Sequence, residues 1–196
     1  ALAFYRKSLE TKYKIYNPDH VEISITYNNI SLVHEKLHNI DSAMYYNKKA
    51  LSIRISKLNE NHVLIASCYL NLGNLNTHTA NWDSSLFYFE KAKKIYESNF
   101  GLKHYQVAAV NNDIAKSYAL QLKPDSALIY YNQAIYCLIK NSSISREENA
   151  DLITQISSLL KNYSEKNNFI HTVISAPTLL EVVINLAAYL EKKHEM

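Results

Sequence analysis

The chain has 196 residues, a formal net charge of +3 and 47% hydrophobic residues, and it lacks the roughly 18 consecutive apolar residues of a membrane-spanning helix. It contains only two glycines, so the glycine-rich phosphate loops of Rossmann and P-loop folds are excluded. Two glycines and three prolines also supply few turns for a β-sandwich or barrel, which favours an all-α fold. Lysine is mixed with Glu and Asp along the chain, so no nucleic-acid partner is expected.

A repeat of 42 residues runs through the chain without insertion or deletion. The aligned columns are His20, His62 and His104; Ile30, Leu72 and Ile114; Ser31, Gly73 and Ala115; Asp41, Asp83 and Asp125; Tyr46, Tyr88 and Tyr130; and Ala50, Ala92 and Ala134. The first residues continue this register backwards, so the chain is expected to open within a repeat. Such periodicity predicts a stack of structurally equivalent units.

Each unit divides into two predicted helices. In the clearest unit, apolar residues recur at helical spacing from Ile65 to Leu75, and again after a break at Ala80-Asn81. Asp83 opens the second helix, where a carboxylate can cap free N–H groups and meet the positive end of the helix dipole. Gly101 is a natural helix stop.

The small-residue columns and the tyrosine column of the repeat predict how the helices pack. The small residues in the Gly73 and Ala92 columns let helices approach closely, because their side chains are short. The Tyr88 column is expected to pack between successive units.

The register weakens after residue 141. Residues 142–174 are predicted to form a degenerate fourth repeat, with a helix over 147–163. Residues 175–196 are predicted to begin a further helical repeat, and the array is expected to continue past the last residue.

A family resemblance rests on Tyr69-x-x-Leu72-Gly73, followed by Asn81-Trp82-Asp83, Phe89 and Ala92. This pattern resembles the tetratricopeptide repeat. The 42-residue length and the lead-in His62-Val63-Leu64-Ile65-Ala66 are similar to the kinesin-light-chain subtype, over residues 1–141, a half repeat plus three units. The resemblance implies an all-α, right-handed α-solenoid of antiparallel helix pairs. A weaker resemblance, over 173–180, is to the repeat region of bacterial CHAT proteins, which carry a caspase-like peptidase domain.

A zinc-peptidase pattern occurs at His34-Glu35-Lys36-Leu37-His38, which matches H-E-x-x-H. The repeat argues against this hypothesis, since His34 and His38 share columns with Asn76 and Ala80. The nearest downstream carboxylate, Glu60, falls in a predicted loop. No metal, cofactor or catalytic activity is therefore expected.

The remaining histidines and the cysteines have structural interpretations. His20, His62 and His104 occur once per repeat, so we expect each at a helix N-terminus in its own layer. Cys68 and Cys137 lie in apolar helical patterns and predict buried thiols in a reducing compartment, which favours a cytoplasmic location.

The resemblance implies that the first helix of each pair lines a concave groove. The residues expected to face it are Asn28, Asn29, Asn71, Asn74, Asn112, Asp113 and Lys116. A row of amides offers donors and acceptors to the backbone of an extended peptide. A single lysine, Lys116, joins the row, which does not indicate a carboxylate clamp.

The sequence therefore predicts a scaffold that binds a peptide or partner protein, with no membrane partner. The alternative is a regulatory or sensor arm of a larger bacterial enzyme, such as a caspase-like peptidase or a kinase, with catalysis outside residues 1–196. The sequence leaves the oligomeric state open.

Overall fold

The computed structural model describes residues 1–138, which form helices and no strand. The helices are α1 (Leu2–Tyr13), α2 (Val21–Lys36), α3 (Ile40–Lys57), α4 (Val63–His78), α5 (Trp82–Phe100), α6 (Tyr105–Leu120) and α7 (Pro124–Leu138). The predicted fourth repeat and the helical run after it lie outside the described residues. The chain divides into two compact units, Ala1–Asn99 and Phe100–Met196.

Short turns join the helices into antiparallel pairs. In the first unit α2 packs on α3, and α4 meets α5 where the Thr77 and Ser85 hydroxyls lie 2.6 Å apart. In the second unit α6 packs on α7. The turn within each pair has a left-handed residue at one column, with φ of 58° at His38, 57° at Ala80 and 58° at Leu122. The 42-residue sequence repeat is therefore also a repeat of backbone conformation.

The predicted helix ends are found close to their expected positions. Asp41 and Asp83 lie in the first turns of α3 and α5, where a carboxylate meets the positive end of the dipole. Asn39, not Asp41, occupies the capping position of α3, so Asp41 acts there through its charge. Gly101 follows the end of α5 with φ of 77°, a conformation that favours glycine.

Histidine caps the first helix of each pair, as predicted. The Nδ1 atom of His20 accepts a hydrogen bond from the Glu22 backbone N–H at 3.2 Å. His62 accepts from Leu64 at 3.1 Å, and His104 accepts from Gln106 at 3.3 Å. These bonds satisfy N–H groups that the helix itself leaves without partners.

Substitution of a capping histidine tests this role. We expect His62→Ala to lower the free energy of unfolding by about 1 kcal/mol, because the Leu64 N–H loses its acceptor. His62→Asn supplies a capping oxygen in place of the ring nitrogen and is expected to retain most of the stability. Chemical denaturation of the three proteins checks this, and equal losses in both variants would contradict the capping role.

The small-residue columns allow close approach within the pairs, as predicted. Ala50, Ala92 and Ala134 are fully buried. The Ser31 hydroxyl donates to the Ala43 carbonyl at 2.8 Å, across the α2–α3 pair. A Cβ added to Gly73 would fall on the Phe89 ring.

The tyrosine column makes contacts that differ from the predicted ones. The ring partners of Tyr46, Tyr88 and Tyr130 are His34, Tyr69 and Tyr118, which belong to the first helix of the same pair. Tyr46 also borders a cluster that includes Cys68 of the next pair. The prediction of packing between units is therefore incomplete, since the ring contacts lie mainly within each pair. The reason is geometric: a short turn joins the two helices of a pair, so the column lies along its own partner helix.

A buried arginine joins three helices of the first unit. Arg54 of α3 is 1% exposed. Its Nε donates to the Ser24 hydroxyl of α2 at 3.1 Å, and its Nη1 donates to the Leu64 carbonyl and the Ser67 hydroxyl of α4. Lys12, one repeat earlier, makes the equivalent bond to the Glu22 carbonyl at 2.9 Å. At these two positions of the column a cation therefore bonds to the first helix of the following pair.

Candidate binding surface of the first helices

The first unit brings two of the predicted groove residues into direct contact. The Asn71 Nδ2 of α4 donates to the Asn28 Oδ1 of α2 at 3.1 Å. Both amides are half-buried, as are Asn29 and Asn74 on the same two helices. An amide has two N–H donors and an acceptor oxygen, so this single bond uses only part of the capacity of the pair. The surface of α2 and α4 thus carries amides that bridge consecutive layers.

The remaining predicted groove residues lie on α6, in the second unit. Asp113 and Lys116 form an ion pair at 3.5 Å, one turn apart on the helix. Asn112 is 2% exposed and already takes part in an interaction within the protein. This burial does not fit the prediction of Asn112 as an open groove amide, whereas its equivalents Asn28 and Leu70 are only half-buried.

An acid–base pair lies on the same two helices as the amides. The Glu35 Oε1 of α2 is 3.5 Å from the His78 Nε2 of α4. Burial raises the pKa of the Glu35 carboxyl, while His78 and Lys36 oppose that rise. The Glu35 carboxyl is thus a half-buried acid on one of the two helices that carry the amides.

Both cross-helix contacts join residues 43 apart in the sequence, namely Asn28 with Asn71 and Glu35 with His78. Residues that share a column of the repeat are 42 apart. The members of these pairs therefore occupy different columns, and the repeat alone does not predict that they meet. Complementary polar residues at an offset of 43 would indicate both pairs, including Glu35 and His78, which the predicted site omitted.

The H-E-x-x-H residues do not share one helix. His34 is buried within α2 and stacks on Tyr46, whereas α2 ends at Lys36 and His38 lies in the turn beyond it. Among residues 1–138, no three His, Cys, Asp or Glu side chains are grouped as a metal site would require. The zinc hypothesis therefore has no geometric support in this part of the chain.

Cys68 and Cys137 are buried and not joined in a disulfide, as predicted. Burial raises the pKa of the Cys68 thiol to about 11, although the Arg54 guanidinium opposes that rise. The thiol is therefore protonated at neutral pH. Within the described range, moreover, no helix is long and apolar enough to cross a membrane.

The sequence matches family models, and the fold is similar to that of solved structures. Residues 25–64 and 64–136 match family models described as tetratricopeptide repeat. The crystal structure of BtubC (BKLC) from P. vanneervenii is similar, with 14% identity, a TM-score of 0.65 and coverage of 99% of this chain and 73% of that one. A Podosopora anserina protein described as a kinesin light chain with nearly identical TPR-like repeats has 11% identity, a TM-score of 0.63 and coverage of 100% and 88%. A point variant of that protein gives the same identity and TM-score with coverage of 100% and 87%.

No curated protein sequence matches this chain. The structural likeness, at such low identity, shows the fold alone. The family models and the similar folds together confirm the predicted fold class, an all-α solenoid of tetratricopeptide repeats.

Proposed function

We propose, from the premise that this chain belongs to the tetratricopeptide repeat family and carries an array of the kinesin-light-chain type, that its first helices bind an extended segment of a partner protein. An array of this family indicates a scaffold for protein–protein interaction, and its fold is typically non-catalytic. The surface proposed to bind the segment lies on α2 and α4 and is formed by Asn28, Asn29, Asn71 and Asn74.

The observation that carries this proposal is the Asn28–Asn71 hydrogen bond. It places two amides side by side on consecutive layers, so the amide row follows the direction in which the repeats stack. An extended segment presents an N–H or a C=O about every 3.3 Å. Amides in such a row can pair with either group, which supports binding of main chain with little selectivity for side chains.

Two substitutions test the amide row. A binding segment is selected from a random peptide library against the 196-residue chain, and its affinity is measured by calorimetry. We expect Asn29→Ala and Asn71→Ala each to weaken binding several-fold, since each lost amide contact contributes on the order of 1 kcal/mol. The double variant should lose more than either single variant.

The matched control is Lys48→Ala, an exposed change on the second helix α3. It is expected to leave the affinity unchanged. Circular dichroism melting shows whether the variants keep the fold. A folded Asn29→Ala/Asn71→Ala protein that binds the segment as tightly as the parent would refute the proposal.

A further inference from the structure

An exposed row of three side chains recurs on the second helices α3 and α5. The rows consist of Asp41, Tyr45 and Lys49 on α3, and of Asp83, Phe87 and Lys91 on α5. Residues four apart lie on one face of a helix, so each row presents a carboxylate, an aromatic ring and an ammonium in that order. Tyr45 is 54% exposed and Phe87 is 55% exposed. We call these the acid–aromatic–lysine rows.

The lysine of each row is held over its neighbouring rings. Lys49 Nζ lies 4.7 Å from the centroid of the Tyr45 ring and 5.4 Å from that of Tyr27. Lys91 Nζ lies 4.6 Å from the centroid of the Phe87 ring and 5.2 Å from that of Tyr69. The Tyr45 hydroxyl also raises the pKa of Lys49, which keeps this ammonium charged. Both cations are therefore fixed beside an exposed ring.

The charge order of the two rows makes them complementary to their own reverse. The rows run in the same direction, because they lie on equivalent helices of stacked repeats. Consider a two-fold axis that lies in the interface and runs perpendicular to the rows. It would place each aspartate of one copy opposite a lysine of the other, with the exposed rings meeting in the middle. We propose that the acid–aromatic–lysine rows are the interface through which two copies of this chain associate.

The same charge order argues for a second copy over a peptide of one charge sign. The two rows contain two aspartates and two lysines, placed at opposite ends. The aspartates would repel a uniformly acidic partner, and the lysines would repel a uniformly basic partner. A reversed row pairs both ends and also covers the rings.

The small size of the surface indicates a weak dimer. Helices α3 and α5 have 18 and 19 residues. Such helices are about 28 Å long and about 10 Å across, so two of them present roughly 500 Å² per copy. This is less than the ~800 Å² per partner of a standard interface. We therefore expect a dimer with a Kd on the order of 10 to 100 µM.

Sedimentation velocity of the 196-residue chain from low to high micromolar concentration tests the proposal. The parent is expected to shift from monomer to dimer. Asp41→Lys/Asp83→Lys and Lys49→Asp/Lys91→Asp should each remain monomeric, because every charge pair becomes repulsive. Their equimolar mixture should again form dimers, since opposite charges then face each other. A misfolded variant would not show such rescue, so the mixture separates lost folding from lost pairing.

Two further variants complete the experiment. Phe87→Ser should weaken the dimer about tenfold or more, because the exposed ring is removed from its centre. Glu60→Lys, a charge reversal in the exposed α3–α4 loop, should leave the dimer unchanged. A monomeric parent at several hundred micromolar, a dimer that the charge reversals do not disrupt, or a mixture without rescue would each overturn the proposal.

Discussion

Arg54→Ala is expected to lower the free energy of unfolding by about 3 kcal/mol or more. The substitution leaves a cavity where a fully buried side chain had been. It also removes the donor that the Leu64 carbonyl and the Ser24 and Ser67 hydroxyls share. Hydrogen bonds from a charged donor each contribute about 1.5 to 3 kcal/mol.

The equivalent residue one repeat earlier provides a matched control. Lys12 makes the corresponding bond to the Glu22 carbonyl, but its side chain is 22% exposed. Lys12→Ala should therefore cost about 1 kcal/mol or less, since water can replace the lost contacts. Urea denaturation followed by circular dichroism measures both losses. A smaller loss for Arg54→Ala than for Lys12→Ala would show that Arg54 does not join the three helices as described.

Gly73→Ala should be the second most damaging change, with an expected loss of about 2 kcal/mol. Alanine normally favours a helix over glycine by up to about 1 kcal/mol. At this position, however, the added Cβ falls on the ring of Phe89, which is fully buried. The overlap forces the α4–α5 pair apart, which costs more than the gain in helix propensity.

A double-mutant cycle with Phe89→Leu isolates that overlap. In the Phe89→Leu background the ring is absent, so Gly73→Ala is expected to be neutral or stabilising. Thermal denaturation of the four proteins gives the coupling free energy. The α6–α7 pair holds Ala115 and Tyr131 in these two columns, and both residues are buried. A neutral Gly73→Ala would therefore mean that α4–α5 can adopt the spacing of α6–α7.

The helices, their ends and their pairing were predictable from the sequence because they depend on local signals. Histidine caps, first-turn aspartates and Gly101 each act within one turn of helix, and the repeat shows them several times. The turn residues His38, Ala80 and Leu122 share a left-handed conformation although their side chains differ. Their conformation is set by the repeat, so the sequence at that column alone does not reveal it.

The contacts between layers were less predictable. The Arg54 column also contains Lys12 and Tyr96, so its chemistry is not repeated and no common role is apparent. The Asn28–Asn71 and Glu35–His78 contacts follow an offset of 43, one residue more than the repeat. Asn112 shows the remaining difficulty, because equivalent positions on successive helices differ in burial.

Hydrogen–deuterium exchange with a bound segment tests the central claim most directly. The segment selected from the peptide library is added at saturating concentration to the 196-residue chain, and amide protection is mapped along residues 1–138. The account predicts that added protection concentrates in Val21–Lys36 and Val63–His78, the first helices that carry the amide row. Protection confined to Ile40–Lys57 and Trp82–Phe100, with the first helices unchanged, would contradict it.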